Sequence, residues 1–188
     1  ICFYTFDMKQ FFNSMADIRQ YLDHLPFKAC PHCRSNGFLK PHDVVYTLKQ
    51  GRLNSVGRRI FCSNRYQHSG CGRTFRLYLS NVIPKLHYTG VQLMLFILLL
   101  LQQKPIATAY FRATGQYRSR NGYRWLNQLQ RQCSAFRCCL AVCSVNTQAF
   151  AYRSNRLTML LSTLLAMVSQ VGINTCTCYQ SQKQQGFI

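Results

Sequence analysis

Glutamate does not occur in this chain of 188 residues, and aspartate occurs only as Asp7, Asp17, Asp23 and Asp43. Nothing after Asp43 carries a side-chain carboxylate. A complete transposase or nuclease that holds catalytic metal ions on carboxylates is thereby excluded, and most of the chain lacks an acidic general base. We expect no enzyme activity of that kind.

Long apolar runs are also missing. The longest, Val91 to Leu101, is interrupted only by Gln92; at ~1.5 Å per helical residue it covers about half of a ~30 Å hydrocarbon core, so it reads as a buried helix. Leu157 to Val171 has no charge, but Ser162, Thr163, Ser169 and Gln170 interrupt it, which favours a protein core over a membrane. The opening residues lack a secretory signal pattern, and a cytoplasmic, nucleoid-associated location is the expectation.

Basic residues dominate instead. Lys and Arg number 23 and the formal net charge is +19. Arg outnumbers Lys 16 to 7, which suits planar, bidentate contact with phosphate or guanine. A polyanion, above all double-stranded DNA, is the expected partner.

The 11 cysteines do not form one framework. Cys30 and Cys33, two residues apart, and Cys62 and Cys71 read as a four-thiolate site for structural Zn2+. Eight residues separate the second pair, so a loop bulges between the ligands, and its His68 is a rival ligand, as is His32 in the first turn. Cys133, Cys138, Cys139, Cys143, Cys176 and Cys178 lie among apolar, Arg and small polar residues and read as small buried hydrophobes.

Local patterns place these motifs. Phe11, Met15, Ile18, Leu22 and Leu25 predict an amphipathic helix over 8–25, with Asp7 as cap and Pro26 as stop. His42 to Leu48 and Val56 to Cys62 predict a hairpin turning at Gln50-Gly51, and Arg73 to Tyr78 a third strand. Thr89 caps a helix through Gln103; Pro105 starts another that Gly115 ends. A third runs from Ser119-Arg120-Asn121 to about Leu140. Its apolar seam is Leu126, Leu129, Cys133, Phe136 and Leu140, with Arg120, Arg124, Asn127 and Arg131 on the other face. Leu157 to Val171 is a further helix, and Thr175 to Tyr179 has strand composition.

Cys-Pro-His-Cys at 30–33, Gly-Arg-Arg-Ile-Phe-Cys-Ser-Asn-Arg at 57–65 and Gly-Cys-Gly-Arg-Thr-Phe at 70–75 together resemble the N-terminal zinc ribbon of insertion-sequence transposases and of small uncharacterised bacterial relatives. The resemblance covers residues 30–78, with the eight-residue gap as its departure. It implies DNA binding and a helix-turn-helix after the ribbon. Phe111, where a helix-turn-helix normally has a small residue, departs from that pattern.

The expected fold class is α+β: an N-terminal helix (1–29), a small β zinc ribbon (30–80), a mainly helical domain resembling a helix-turn-helix (88–140), and a C-terminal helix and strand (141–188). Arg58, Arg59, Arg65, Arg73 and Arg76 of the ribbon would hold phosphates, and Arg120, Arg124, Asn127 and Arg131 would contact bases. A transposase or other mobile-element protein is a further candidate partner. Two other readings stay open. One is a recombinase or transposase fragment with a hydroxyl nucleophile, drawn from 11 tyrosines. The other is an RNA- or protein-binding accessory factor of a mobile element, in which Tyr66 or Tyr78 stacks on bases.

Overall fold

The computed structural model describes residues 8–49, 52–84, 88–142 and 155–188. The expected cap Asp7, the Gln50-Gly51 turn and the connection beginning at Cys143 lie outside the described residues. The fold is α+β, and the chain forms two units: Ile1–His87 with Gln180–Gly186, and Tyr88–Tyr179 with Phe187–Ile188.

The first unit is built on a four-stranded sheet. Its strands are β1 (Lys9–Phe12), β2 (Leu39–Lys49), β3 (Arg52–Cys62) and β4 (Thr74–Leu79), in the order β1-β4-β3-β2. β2, β3 and β4 are antiparallel neighbours, whereas β1 runs parallel to β4, with Phe11 opposite Tyr78. One face of the sheet presents Ile60, Phe75 and Leu77, which are fully buried with Ile18 and Leu25.

The helix expected over 8–25 is shorter and is preceded by a strand. Helix α1 spans Met15–Asp23. Ser14 caps it: its hydroxyl accepts from the Asp17 N–H (3.1 Å), and the Asp17 carboxylate accepts from the Ser14 N–H (3.0 Å). This reciprocal capping box fixes the start of the helix. The residues before it, with two adjacent aromatics, pair as β1 instead. Phe11 is buried and its ring stacks on Tyr78 with centroids 6.1 Å apart.

β1 is an edge strand, and its outer backbone groups are satisfied by a side chain. The Phe11 N–H donates to Gln184 Oε1 (2.7 Å), and Gln184 Nε2 donates to the Phe11 carbonyl (2.9 Å). Nearby, Gln180, fully buried, donates through Nε2 to the carbonyls of Ser80 (2.6 Å) and Val82 (2.9 Å).

The second unit is helical. Helices α2 (Gly90–Leu101), α3 (Ile106–Thr114), α4 (Arg120–Val142) and α5 (Arg156–Val171) lie close to their predicted places. Thr89 and Gln92 form a second capping box, and Gly115 ends α3 in the left-handed conformation (φ 72°) that glycine adopts without steric penalty. The predicted seam of α4 is buried throughout. Trp125 joins it, with the rings of Tyr88, Phe96 and Tyr110 edge-on at 5.2, 5.4 and 5.3 Å.

Thr175 to Tyr179, expected as a strand, begins helix α6 (Thr175–Lys183). Cys176 and Tyr179 are both buried, a spacing of three that suits one helix face. Tyr179 packs on Phe136 and Phe187, 5.1 and 5.4 Å between centroids. Thr175 Oγ1 donates to the Gly172 carbonyl (2.6 Å), closing the turn before the helix.

Among the described residues, one helical stretch, 156–183, is long and apolar enough by composition to cross a membrane, with mean hydropathy 1.5. Gly172, at φ 68°, interrupts it. Helix α5 alone has 16 residues, about 24 Å at ~1.5 Å per residue. Leu160, Thr163, Leu164 and Met167 line its buried face.

Replacing Gln184 with Ala removes both partners of Phe11 and should lower stability by about 1–3 kcal/mol. Urea denaturation checks this through the midpoint at constant m; an unchanged midpoint would mean that the amide clasp adds nothing.

Candidate metal centre

Two short turns bring Cys30, Cys33, Cys62 and Cys71 together. In the first, the Arg34 N–H donates to the Cys30 carbonyl (2.8 Å) and the Cys30 N–H to the Ser35 carbonyl (2.9 Å). The second starts at the end of β3. There the Cys62 N–H donates to the Arg73 carbonyl (2.9 Å), and the Gly72 N–H donates to the Cys62 carbonyl (3.0 Å). Backbone donors also reach the sulfurs: His32 N–H to Cys30 Sγ (3.4 Å) and Cys71 N–H to Cys62 Sγ (3.3 Å).

The Sγ atoms of Cys30, Cys33, Cys62 and Cys71 all lie within 4.8 Å of one another. Cys30 and Cys71 are 3.8 Å apart, and Cys33 and Cys62 3.7 Å. A tetrahedral thiolate site with metal–sulfur bonds of about 2.3 Å has edges of about 3.8 Å. Two edges of the cluster match that spacing, so these four residues could hold a metal ion, and they offer it only sulfur.

Their electrostatics differ. The Ser35 hydroxyl, then the Ser35 backbone N–H, hydrogen-bond Cys33 and draw it down to about 6. Burial pushes Cys62 up to about 12 and Cys71 up as well. Those two become thiolates only in the field of a cation.

The rival ligands lie elsewhere. His68 Nε2 is 3.2 Å from Lys40 Nζ, and its ring packs on Phe38 at 5.6 Å. His32 Nε2 is 3.3 Å from the Thr74 carbonyl. The loop between the second pair folds back on itself through the Gly70 N–H, which donates to the Ser63 carbonyl (3.0 Å). Gly70 is required by close approach: a Cβ there would stand 2.8 Å from Cys62 Sγ and collide with the Ser63 carbonyl. Nothing in the sequence marks Ser35 or Gly70; the turn that each closes becomes visible only when the two cysteine pairs meet.

The basic residues divide. In the first unit, Arg65 and Arg73 are exposed, and the Arg65 guanidinium lies 5.8 Å from the Phe61 ring centre. Arg59 stands opposite Arg76 on β4 and opposite Asp43 on β2. Arg58, adjacent in the strand, belongs to the face that Ile60 and Leu77 line. Arg58 and Arg59 therefore cannot meet one flat partner together. Arg59 is 3.9 Å from Asp43, an exposed contact that contributes at most about 1 kcal/mol. In the second unit, Arg120, Arg124, Asn127 and Arg131 are all exposed on α4. Arg124 reaches Asn121 Oδ1 at 3.5 Å.

The remaining described cysteines vary in burial. Cys133 and Cys176 are buried as expected, Cys139 and Cys178 are half-buried, and Cys138 is exposed on α4, contrary to expectation, because it falls off the apolar seam. Tyr88 and Tyr110 share a hydroxyl hydrogen bond (3.0 Å), and burial pushes Tyr88 up to about 12, away from the ionised form a nucleophile needs. Phe111, 38 % exposed, stacks on Tyr117, while the small residues Ala109 and Ala113 take the buried positions of α3.

No protein-family model, curated protein or solved structure matches the chain.

Cys62→Ser should abolish retention of bound metal, measured by elemental analysis of the purified chain, whereas His68→Ala should leave metal content unchanged. Gly70→Ala should release metal to a chelator faster than the parent chain does, because its methyl group crowds the Cys62 sulfur.

Proposed function

We propose that this chain is a DNA-binding protein of the transposase-like class, with a structural zinc ribbon and a basic recognition helix and without a carboxylate catalytic core. The observation that carries the reading is the exposed face of α4, where Arg120, Arg124, Asn127 and Arg131 stand in a unit that contains no acidic residue. Arginines without internal counterions recruit an external polyanion.

Zinc is the metal that best suits four sulfur ligands at tetrahedral spacing. All four positions are filled by protein, so the ion would hold the two turns together and leave no place for an activated water. The ribbon would then serve as a rigid carrier of Arg65, Arg73 and Arg76, whose contacts are with phosphates. The α3–α4 pair acts as a helix-turn-helix-like reader. The α4 seam packs inward, and its other face enters the major groove, where Arg pairs with guanine and Asn with adenine. The transposase-like context rests on the cysteine and arginine pattern of 30–78. A nucleoid-associated, cytoplasmic protein is the corresponding location.

Three measurements test the reading. Zinc should be recovered at one ion per chain. Affinity for duplex DNA should fall steeply with salt, with a slope of roughly −5 to −7 in log K against log salt for six to eight phosphate contacts. Arg124→Ala should weaken the preferred site by about 1–3 kcal/mol and relax its sequence preference. A salt-independent affinity, or no duplex binding at low salt, would overturn the proposal.

A further inference from the structure

Helices α4 and α5 enclose a cleft of about 400 Å³ within the helical unit, lined by Asn127, Gln130, Arg131, Cys133, Arg156 and Met159. Its volume falls within the roughly 300–1,000 Å³ of small-molecule sites. Asn127, Gln130 and Arg131 occur at positions i, i+3 and i+4 of α4 and so share one side of that helix. Arg156 comes from the other wall, as the first residue of α5.

Two guanidinium groups and two carboxamides thus line one cleft. Two cations sharing a small space repel each other unless an anion lies between them. None of the side chains that line the cleft supplies that anion, because none carries a carboxylate. The amino end of α5, where Asn155 Oδ1 accepts from the Leu157 N–H at 3.3 Å, adds partial positive charge of the same sign. The carboxamides offer paired donors and acceptors that match a base edge. Cys133 and Met159 supply an apolar wall on which a flat ring can rest, and a thioether packs well against an aromatic ring.

We propose that this cleft binds a single nucleotide: its phosphate between Arg131 and Arg156, its base edge on Asn127 and Gln130. The site goes beyond duplex binding. It shares Asn127 and Arg131 with the exposed α4 face, but Gln130 and Arg156 belong to the cleft alone. One chemistry serves two sources, a free nucleotide or one unit of a single strand.

The test titrates the full, metal-loaded chain with deoxyadenosine monophosphate, with inorganic phosphate and with a 5′-phosphorylated oligodeoxyadenosine, followed by backbone amide NMR shifts. The expected result is saturable shifts at residues 127–131 and 156–159. Arg156→Gln should weaken nucleotide binding at least about tenfold, as expected for loss of a charge-assisted hydrogen bond. Arg156→Lys should fall between the two, because it keeps the charge and loses the planar fork. Gln130→Glu should abolish binding by placing a carboxylate beside the phosphate site, and it provides an independent variant if Arg156→Gln is misfolded. Tighter binding of either the free nucleotide or the oligonucleotide supports the site and identifies its source.

The proposal is overturned if the nucleotide moves none of these amides. It is also overturned if Arg156→Gln and Gln130→Glu bind it as the parent does, or if inorganic phosphate binds as tightly as the nucleotide. Duplex affinity measured on the same proteins keeps the two ideas apart. Duplex binding without nucleotide binding removes the cleft and leaves the DNA reading; nucleotide binding without duplex binding does the reverse.

Discussion

The first unit depends on one constraint: four sulfurs from two turns, far apart in sequence, must share a space less than 5 Å across. Without a cation, burial disfavours the ionised forms of Cys62 and Cys71, whereas hydrogen bonds from Ser35 favour that of Cys33. With a metal the same burial becomes an advantage, because it excludes competing water and strengthens the attraction of each thiolate for the ion. Binding of zinc to small structural sites is worth about 10–16 kcal/mol at neutral pH, comparable with the whole net stability of about 5–15 kcal/mol of an ordinary domain. The paired turns, the hairpin and α1 are arranged around that single point.

The charge distribution explains why so much has to rest there. A chain of net charge +19 repels itself, and the ion pair of Arg59 with Asp43 is solvent-screened. Folding therefore relies on apolar burial and on hydrogen bonds, to which a metal held by the four cysteines would add. The helical unit meets the same difficulty with aromatic packing, Trp125 against three rings in one place and Phe136 against Tyr179 and Phe187 in another. Residues 88–179 offer its arginines no carboxylate to pair with, which is why both the DNA surface and the nucleotide cleft are proposed to take an anion from outside.

The parts of the fold that could be read from the sequence are those decided locally. Thr89, Pro105, Gly115 and Arg120 mark helix boundaries through capping and backbone geometry confined to a few residues. The two cysteine pairs announce themselves by residue type. What could not be read depends on distant partners. Lys9 to Phe12 has the periodicity of a helix and becomes a strand because β4 is there to pair with. Thr175 to Tyr179 has strand composition and becomes a helix because Phe136 and Phe187 receive Tyr179. His68 competes with the cysteines in spacing alone, and its position beside Lys40 and Phe38 is a matter of tertiary placement. The cleft is not legible in the sequence for the same reason: Gln130 and Arg156 acquire meaning only when α5 returns to α4.

The amide clasp on the sheet edge ties residue 11 to residue 184. Every other strand of that sheet is complete by residue 79, and the metal turns are complete by residue 73. Synthesis therefore proceeds through the whole helical unit while one side of β1 still displays open backbone groups. A nascent chain in that interval has a finished set of strands and an unguarded edge, available to any other extended segment that passes. The interval ends only when the final helix emerges, so the order in which the polypeptide leaves the ribosome, and not its final energy alone, decides how long that risk lasts.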